Sequence, residues 1–196
     1  LNIPHYTIED STAEKQRLKK ARDAAIEELK GLRDSVKAQA KEKEAEIFDA
    51  HMMFLEDDSL VSLAENDITA GKNAEAAWMN AIETIAQQLE AIPDPTLSAR
   101  AVDLRDVGQR VLGHLLGLQT RGIKPDKPSI IVSRDLTPSD TVSLERSVTL
   151  AFVTAEGGPT SHTAILAKAF GLPAVVGVGD ELLAIPDDAF LLVDGN

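Results

Sequence analysis

Cysteine is absent from this chain of 196 residues. That excludes a disulfide framework, a Cys-ligated zinc site and a thiol nucleophile, and it suits a reducing cytoplasm. No apolar run approaches the roughly 20 residues that span a bilayer, so a membrane-spanning helix is not expected. Basic residues are in the minority: Lys and Arg number 20 against 32 Asp and Glu, a formal charge of −12. Nucleic acid, whose phosphates demand a basic footprint, is therefore an unsuitable partner. An acidic surface serves solubility, or else favours a basic protein partner and speeds its encounter. The opening "LNIPHYTIED" has neither an initiator Met nor a signal-peptide pattern and reads as the start of a piece of something longer. What is present, 43% hydrophobic and 27% charged residues, is the composition of a soluble globular protein with length for one large domain or two small ones.

The chain divides into halves of different character. Residues 11–120 read as helix almost throughout, an antiparallel bundle. Leu18, Ala25, Leu29, Leu32 and Val36 recur at helical spacing. Ile47, Phe48, Met52 and Leu55 follow, then a short helix capped by Asp58 or Ser59 and ended at Gly71. Trp78, Ile82, Ile85 and Leu89 form the next stripe. Leu97, Ala101, Leu104, Gly108, Val111, Leu115 and Leu118 form a seam of alternating three- and four-residue steps. No breaker separates the first two helices between Val36 and Ile47. From residue 121 the pattern becomes α/β: β-rich runs at 129–133, 147–154, 173–178 and 189–195 alternate with a short helix after "TPSD" and a longer one opening at His162. The boundary falls in "RGIKPDKPS", which has turn chemistry and no apolar periodicity.

The stretch "EGGPTSHTAILAKAFG" (156–171) carries the chemistry. Pro159 suits a first helical position, Thr160 and Ser161 are plausible caps, and Ile165, Leu166 and Ala169 would bury one face before Gly171 ends the helix. His162 then sits at the positive end of a helix, where an anion is stabilised. Gly157 and Gly158 let the backbone approach closely, and Thr160, Ser161 and Thr163 add hydroxyl donors. A neutral imidazole is a nucleophile, and a phosphoryl group attached to it would carry roughly two negative charges. These residues suit a phosphohistidine carrier. A nucleotide-phosphate cradle lacks its lysine here, a metal site would need more ligands than Glu156, and a histidine that simply caps its own helix accounts for the same pattern. His51 and His114, within helical stripes, read as structural, and His5 as part of a frayed end.

"GGPTSHTAILAKAFGLPAVVG" resembles the phosphohistidine signature of Enzyme I, the phosphoenolpyruvate–protein phosphotransferases of the bacterial sugar phosphotransferase system. "EIFDAHMMFLEDDSL", "AVDLRDVGQRVLGHLLG" and "DLTPSDT" resemble Enzyme I stretches in the same order, so the likeness covers nearly the whole chain. More distantly, the loop resembles the swivelling phosphohistidine domains of the dikinases, which lack the helical insertion. The resemblance implies a swivelling α/β phosphohistidine domain, residues 121–196 completed by 1–10, and an all-α antiparallel bundle, residues 11–120, that docks the carrier protein HPr.

It further implies that His162 accepts a phosphoryl group from phosphoenolpyruvate and passes it to a histidine of HPr. Thr141 would orient the imidazole by a hydrogen bond, leaving the other ring nitrogen to attack. Gly157, Gly158, Thr160, Ser161 and Thr163 would hold the phosphate. Asp49, Phe54, Glu56, Asp57 and Asp58 would meet HPr, although a solvated helix face accounts equally for each carboxylate. No metal is expected within this stretch. Phosphoenolpyruvate and Mg²⁺ belong to a barrel domain that the family places beyond Asn196, so the stretch alone would exchange phosphoryl groups only with HPr. The family's usual Arg after the two glycines is replaced by Pro159, as also in the Enzyme I-like domain serving dihydroxyacetone kinase, an alternative context. A docking module whose histidine is unused, and a structural unit of a dikinase-type enzyme, are further alternatives.

Overall fold

The computed structural model describes residues 3–39, 42–118, 123, 125–158 and 161–195. By contact the chain forms two compact units: Leu1–Gly31 with Phe48–Thr120, and Leu32–Ile47 with Arg121–Asn196. The boundary expected near residue 120 lies outside the described residues.

The first unit is helical. Its elements are α1 (Ser11–Gln39) and α2 (Glu42–Glu56), which each pass into the other unit, then α3 (Asp58–Thr69), α4 (Ala74–Glu90) and α5 (Pro95–Leu115). Most of the expected stripes are buried: Leu18, Ala25 and Leu29 of α1, Phe48, Met52 and Leu55 of α2, and Ile82, Leu104 and Val111 of the α4–α5 pair, whereas Leu32, Ile85, Leu89 and Leu115 are half-buried. Leu97 and Leu118, the ends of the expected α5 seam, are exposed. Trp78 is fully buried, and its indole N–H donates to the Gly108 carbonyl at 3.0 Å. At Gly108 the helices come so close that an added Cβ would lie 2.9 Å from Ile82. His51 is fully buried edge-on to Phe48, with Nε2 3.7 Å from Asp103. His114 Nε2 lies 3.1 Å from Glu28.

A partly buried ionic cluster fastens the turn before α4. Arg17 donates to Glu14 at 2.6 Å and to Glu75 at 2.7 Å, and Asn73 donates to Glu75 at 2.7 Å. Burial alone would push the Glu75 carboxyl up. The hydrogen bonds from Asn73, its own backbone and Arg17 outweigh that and hold it below the usual carboxylate range. Residues 3–10 run along this turn, with Thr7 bridged to Lys72 and the Tyr6 hydroxyl accepting from Arg17 at 3.0 Å.

The second unit is built on parallel strands: β1 (Ser129–Ser133), α6 (Pro138–Ser143), β2 (Thr149–Thr154), α7 (His162–Phe170) and β3 (Ala174–Val175), followed by a 3-10 turn at Asp180–Ala184. The sheet order is β1-β2-β3, with Ile131 opposite Phe152 and Phe152 opposite Ala174. Each parallel step is bridged by a helix, the usual way to return the chain to the same edge. Leu136, Leu144, Phe152 and Ala167 form the core, with Ile131, Leu172 and Val176 against it. The run 189–195, expected as a strand, pairs with no strand among the described residues, and Phe190 and Leu192 are 98% and 92% exposed. β-rich composition marks a chain that can pair. Whether it does depends on where the chain runs relative to a sheet edge, which composition does not encode.

Candidate functional site

Strand β2 delivers the chain into a tightly held loop. Glu156 N–H donates to the Arg134 carbonyl at 2.8 Å, and the Thr154 hydroxyl donates to the Glu156 carbonyl at 2.7 Å. From the other side Gly177 N–H donates to the same Glu156 carbonyl at 3.1 Å. Gly157 takes φ +93°, open to glycine and strained for other residues. Gly177 lies at φ +72°, and a Cβ there would stand 2.8 Å from the Gly157 carbonyl oxygen. The Gly-Gly loop therefore has a second glycine wall, supplied by the chain after β3.

Pro159 and Thr160 lie outside the described residues, so the expected roles of Thr160 as cap and phosphate ligand have no geometry here. The cap is Ser161: its hydroxyl accepts from Ala164 N–H at 3.2 Å, while its own N–H donates to the Gly158 carbonyl at 2.9 Å. His162 is the first residue of α7 and is exposed. The helix ends at Gly171, φ +66°, in the left-handed C-cap that the sequence suggested. Arg146 stacks over the Phe170 ring, 4.0 Å from its centroid.

The buried face of α7 is Thr163, Leu166 and Ala167. Ile165, expected inside, is 40% exposed, and Ala169 is half-buried, because the core-facing stripe runs through 163, 166 and 167 instead. Thr163 requires a correction of the same kind. Its hydroxyl is no phosphate ligand: Thr163 is 4% exposed and donates to the Leu136 carbonyl. Only its backbone N–H belongs to the open end of the helix.

Thr141 lies on α6, which packs against α7. It is 1% exposed, and its hydroxyl donates to the Thr137 carbonyl at 3.0 Å. Thr137 itself caps α6 reciprocally with Asp140. Three carboxylates stand around this end of the sheet. Burial, and then the charges of Glu156 and Asp140, push the Asp135 carboxyl above its ordinary value, against the hydrogen bond it accepts from Leu136 N–H. Arg134, which the sequence pattern does not single out, pairs with Glu156 at 3.1 Å and Asp180 at 2.6 Å and so brings a guanidinium beside the loop. Among the described residues no cluster of three or more His, Asp or Glu side chains is placed to hold a metal ion.

The second set of expected residues lies where α2 meets α3. Asp49 and Phe54 are half-buried, and Glu56, Asp57 and Asp58 are exposed. Asp57 is also the N-cap of α3, accepting from Ser59 N–H at 2.8 Å and Leu60 N–H at 3.0 Å. The cap expected at Asp58 or Ser59 thus falls one or two residues earlier. Met53, 70% exposed, is not among the residues that the sequence pattern marks. Its signal is positional, since 49, 53 and 56 share one face of α2.

Residues 2–100 match the family model "PEP-utilising enzyme, N-terminal" and residues 125–196 the model "PEP-utilising enzyme, mobile domain". The chain is 39% identical, over its whole length, to the phosphoenolpyruvate-protein phosphotransferase of Enterococcus faecalis, of which it spans 34%. It is 43% identical, over 90% of its length, to the multiphosphoryl transfer protein of Rhodobacter capsulatus, of which it spans 21%. The chain thus spans about a third or less of these relatives. A solution structure of Enzyme I (nEIt) superposes with a TM-score of 0.72 at 35% identity, covering 94% of this chain and 76% of that one. The N-terminal domain of Enzyme 1 - Nitrogen superposes with a TM-score of 0.68 at 30% identity, covering 90% and 72%. No helix among the described residues is long and apolar enough to cross a membrane. The family models cover both units and the superpositions span nearly the whole chain, so the chain belongs to the PEP-utilising enzymes, with the N-terminal and mobile domains of Enzyme I.

Proposed function

We propose that this chain relays a phosphoryl group between phosphoenolpyruvate and the carrier protein HPr through a covalent phosphohistidine at His162. The observation that carries the reading is an exposed imidazole on the first residue of a nine-residue helix, framed by a glycine loop. A neutral ring nitrogen attacks phosphorus as the bond to the donor oxygen, or to the carrier's own imidazole, breaks. The new P–N bond leaves the charged oxygens at the positive end of α7. The glycine loop lets backbone approach the phosphate, and Ser161 holds the helix end in shape.

Thr141 supports the orientation of the ring in one sense only. Its single hydroxyl proton is given to Thr137, so towards an imidazole it acts as an acceptor. A ring N–H directed to Thr141 fixes the tautomer and leaves the lone pair of the other nitrogen for attack. The acidic rim Asp49, Glu56 and Asp58 with Met53 and Phe54 suits a carrier with a basic, partly apolar face. The relay operates in the cytoplasm, and Mg²⁺ enters it with phosphoenolpyruvate in the barrel domain rather than here.

The test is single-turnover uptake. The chain is mixed with phospho-HPr and followed by intact-protein mass spectrometry. One acid-labile phosphoryl group is expected on the wild type and none on His162→Ala, at unchanged helicity. HPr binding without uptake by the wild type would instead identify a docking module.

A further inference from the structure

Thr163 follows His162 in the chain, yet its side chain is 4% exposed. Its hydroxyl donates to the Leu136 carbonyl, across 27 residues of sequence. Leu136 is itself buried and immediately precedes Thr137, the N-cap of α6, whose carbonyl accepts from Thr141. Two threonine hydroxyls therefore fasten two consecutive carbonyls, one from the first turn of α7 and one from within α6. A hydrophobic contact would tolerate a slide of one helix over the other. A donated hydrogen bond to a buried carbonyl does not, because it prescribes both distance and direction and leaves an unsatisfied acceptor when broken.

We infer that Thr163 is a positioning residue for His162: its hydroxyl holds the first turn of α7 at a set distance from the α6 segment that carries Thr141. The inference rests on the phosphohistidine reading above, since only a reacting imidazole gives that distance a chemical use. Reacting groups misplaced by about 1 Å lose on the order of 100-fold in rate.

The experiment compares wild type, Thr163→Val and Thr163→Ser in the full 196-residue chain. Val keeps the shape and removes the donor, and Ser keeps the donor. Uptake from the phosphorylated carrier is expected to slow by roughly 10- to 100-fold in T163V and to return to within about twofold of wild type in T163S. The His162 ring nitrogen shifts and their pH titration, read by NMR without any phosphoryl donor, are expected to move in T163V and stay in T163S. Unchanged ring shifts and rate in a T163V protein that merely melts earlier would overturn the assignment.

Should T163V not fold, the wild type still decides. A slowly exchanging Thr163 hydroxyl proton is expected, and a freely exchanging one removes the premise. Because the ring shifts need no phosphoryl transfer, a wild type that takes up no phosphate refutes the relay and leaves the positioning measurement to be judged separately.

Discussion

Replacing Gly177 by alanine tests whether the wall of the histidine loop matters. Two penalties are present in the structure and can be separated. The first is backbone: at φ +72° an L residue pays roughly 1–2 kcal/mol. The second is contact: the new Cβ would stand 2.8 Å from the Gly157 carbonyl oxygen, an approach that backbone atoms must yield to, at about 1–3 kcal/mol more. Gly171 supplies the control, because it has φ +66° and nothing within 4 Å of its added Cβ. G171A should therefore lose only the backbone part, and G177A roughly 2–5 kcal/mol in all. The yielding atoms belong to the loop between Glu156, held by Gly177 N–H at 3.1 Å, and His162. G177A should accordingly slow phosphoryl uptake by about tenfold or more, whereas G171A, at the far end of α7, should not. Calorimetric unfolding gives the stabilities and quenched mass spectrometry the rates. Equal destabilisation of the two variants, with both transferring at the wild-type rate, would refute the reasoning.

Three further outcomes follow from the same geometry. Asp57→Ala should lose about 1 kcal/mol of stability because it uncaps α3, whereas exposed Glu56→Ala should stay within about 0.5 kcal/mol and weaken HPr binding mainly through a slower, salt-sensitive association. Equal stability of the two in urea titrations would contradict the cap. Asp135 binds its proton more tightly folded than unfolded, so its contribution to stability falls as pH rises through its raised value. Asp135→Asn should stabilise the fold at neutral pH, with the gain gone below about pH 4, and a gain independent of pH would show that charge is not its cause. Glu75 has the opposite sign: its lowered value adds stability above the unfolded range near pH 4 and loses it as pH falls through the folded value. Glu75→Gln should cost stability at neutral pH and progressively less in acid, as followed by thermal melts across that range.

The helical stripes and the strand–loop–helix around His162 are legible in the sequence because periodicity and glycine placement are local signals. Residues 36–47 contain no breaker, and positions 40–41, between the described ends of α1 and α2, lie outside the described residues. Three consecutive acceptors, Asp57, Asp58 and Ser59, compete to cap α3, and the extended backbone at Asp57, ψ 118°, decides among them. Thr163 reads in sequence as one of a group of hydroxyls around a histidine. Its inward turn depends on where Leu136 lies, and that is a property of packing. The same holds for Gly177, whose partner Gly157 is distant in sequence, and for Arg134, whose partners lie on two separate loops. Residues 189–195 carry strand composition without a ladder, which no local pattern reveals.

The central claim is that a phosphoryl group is carried on the imidazole at the mouth of α7. Its most direct test is to phosphorylate the chain from phospho-HPr and locate the group by fragmentation that preserves P–N bonds. The account predicts one phosphoryl group, on His162, that returns to HPr when unphosphorylated carrier is added in excess. A group found on His5, His51 or His114, or no group on a chain that still binds HPr, would contradict it.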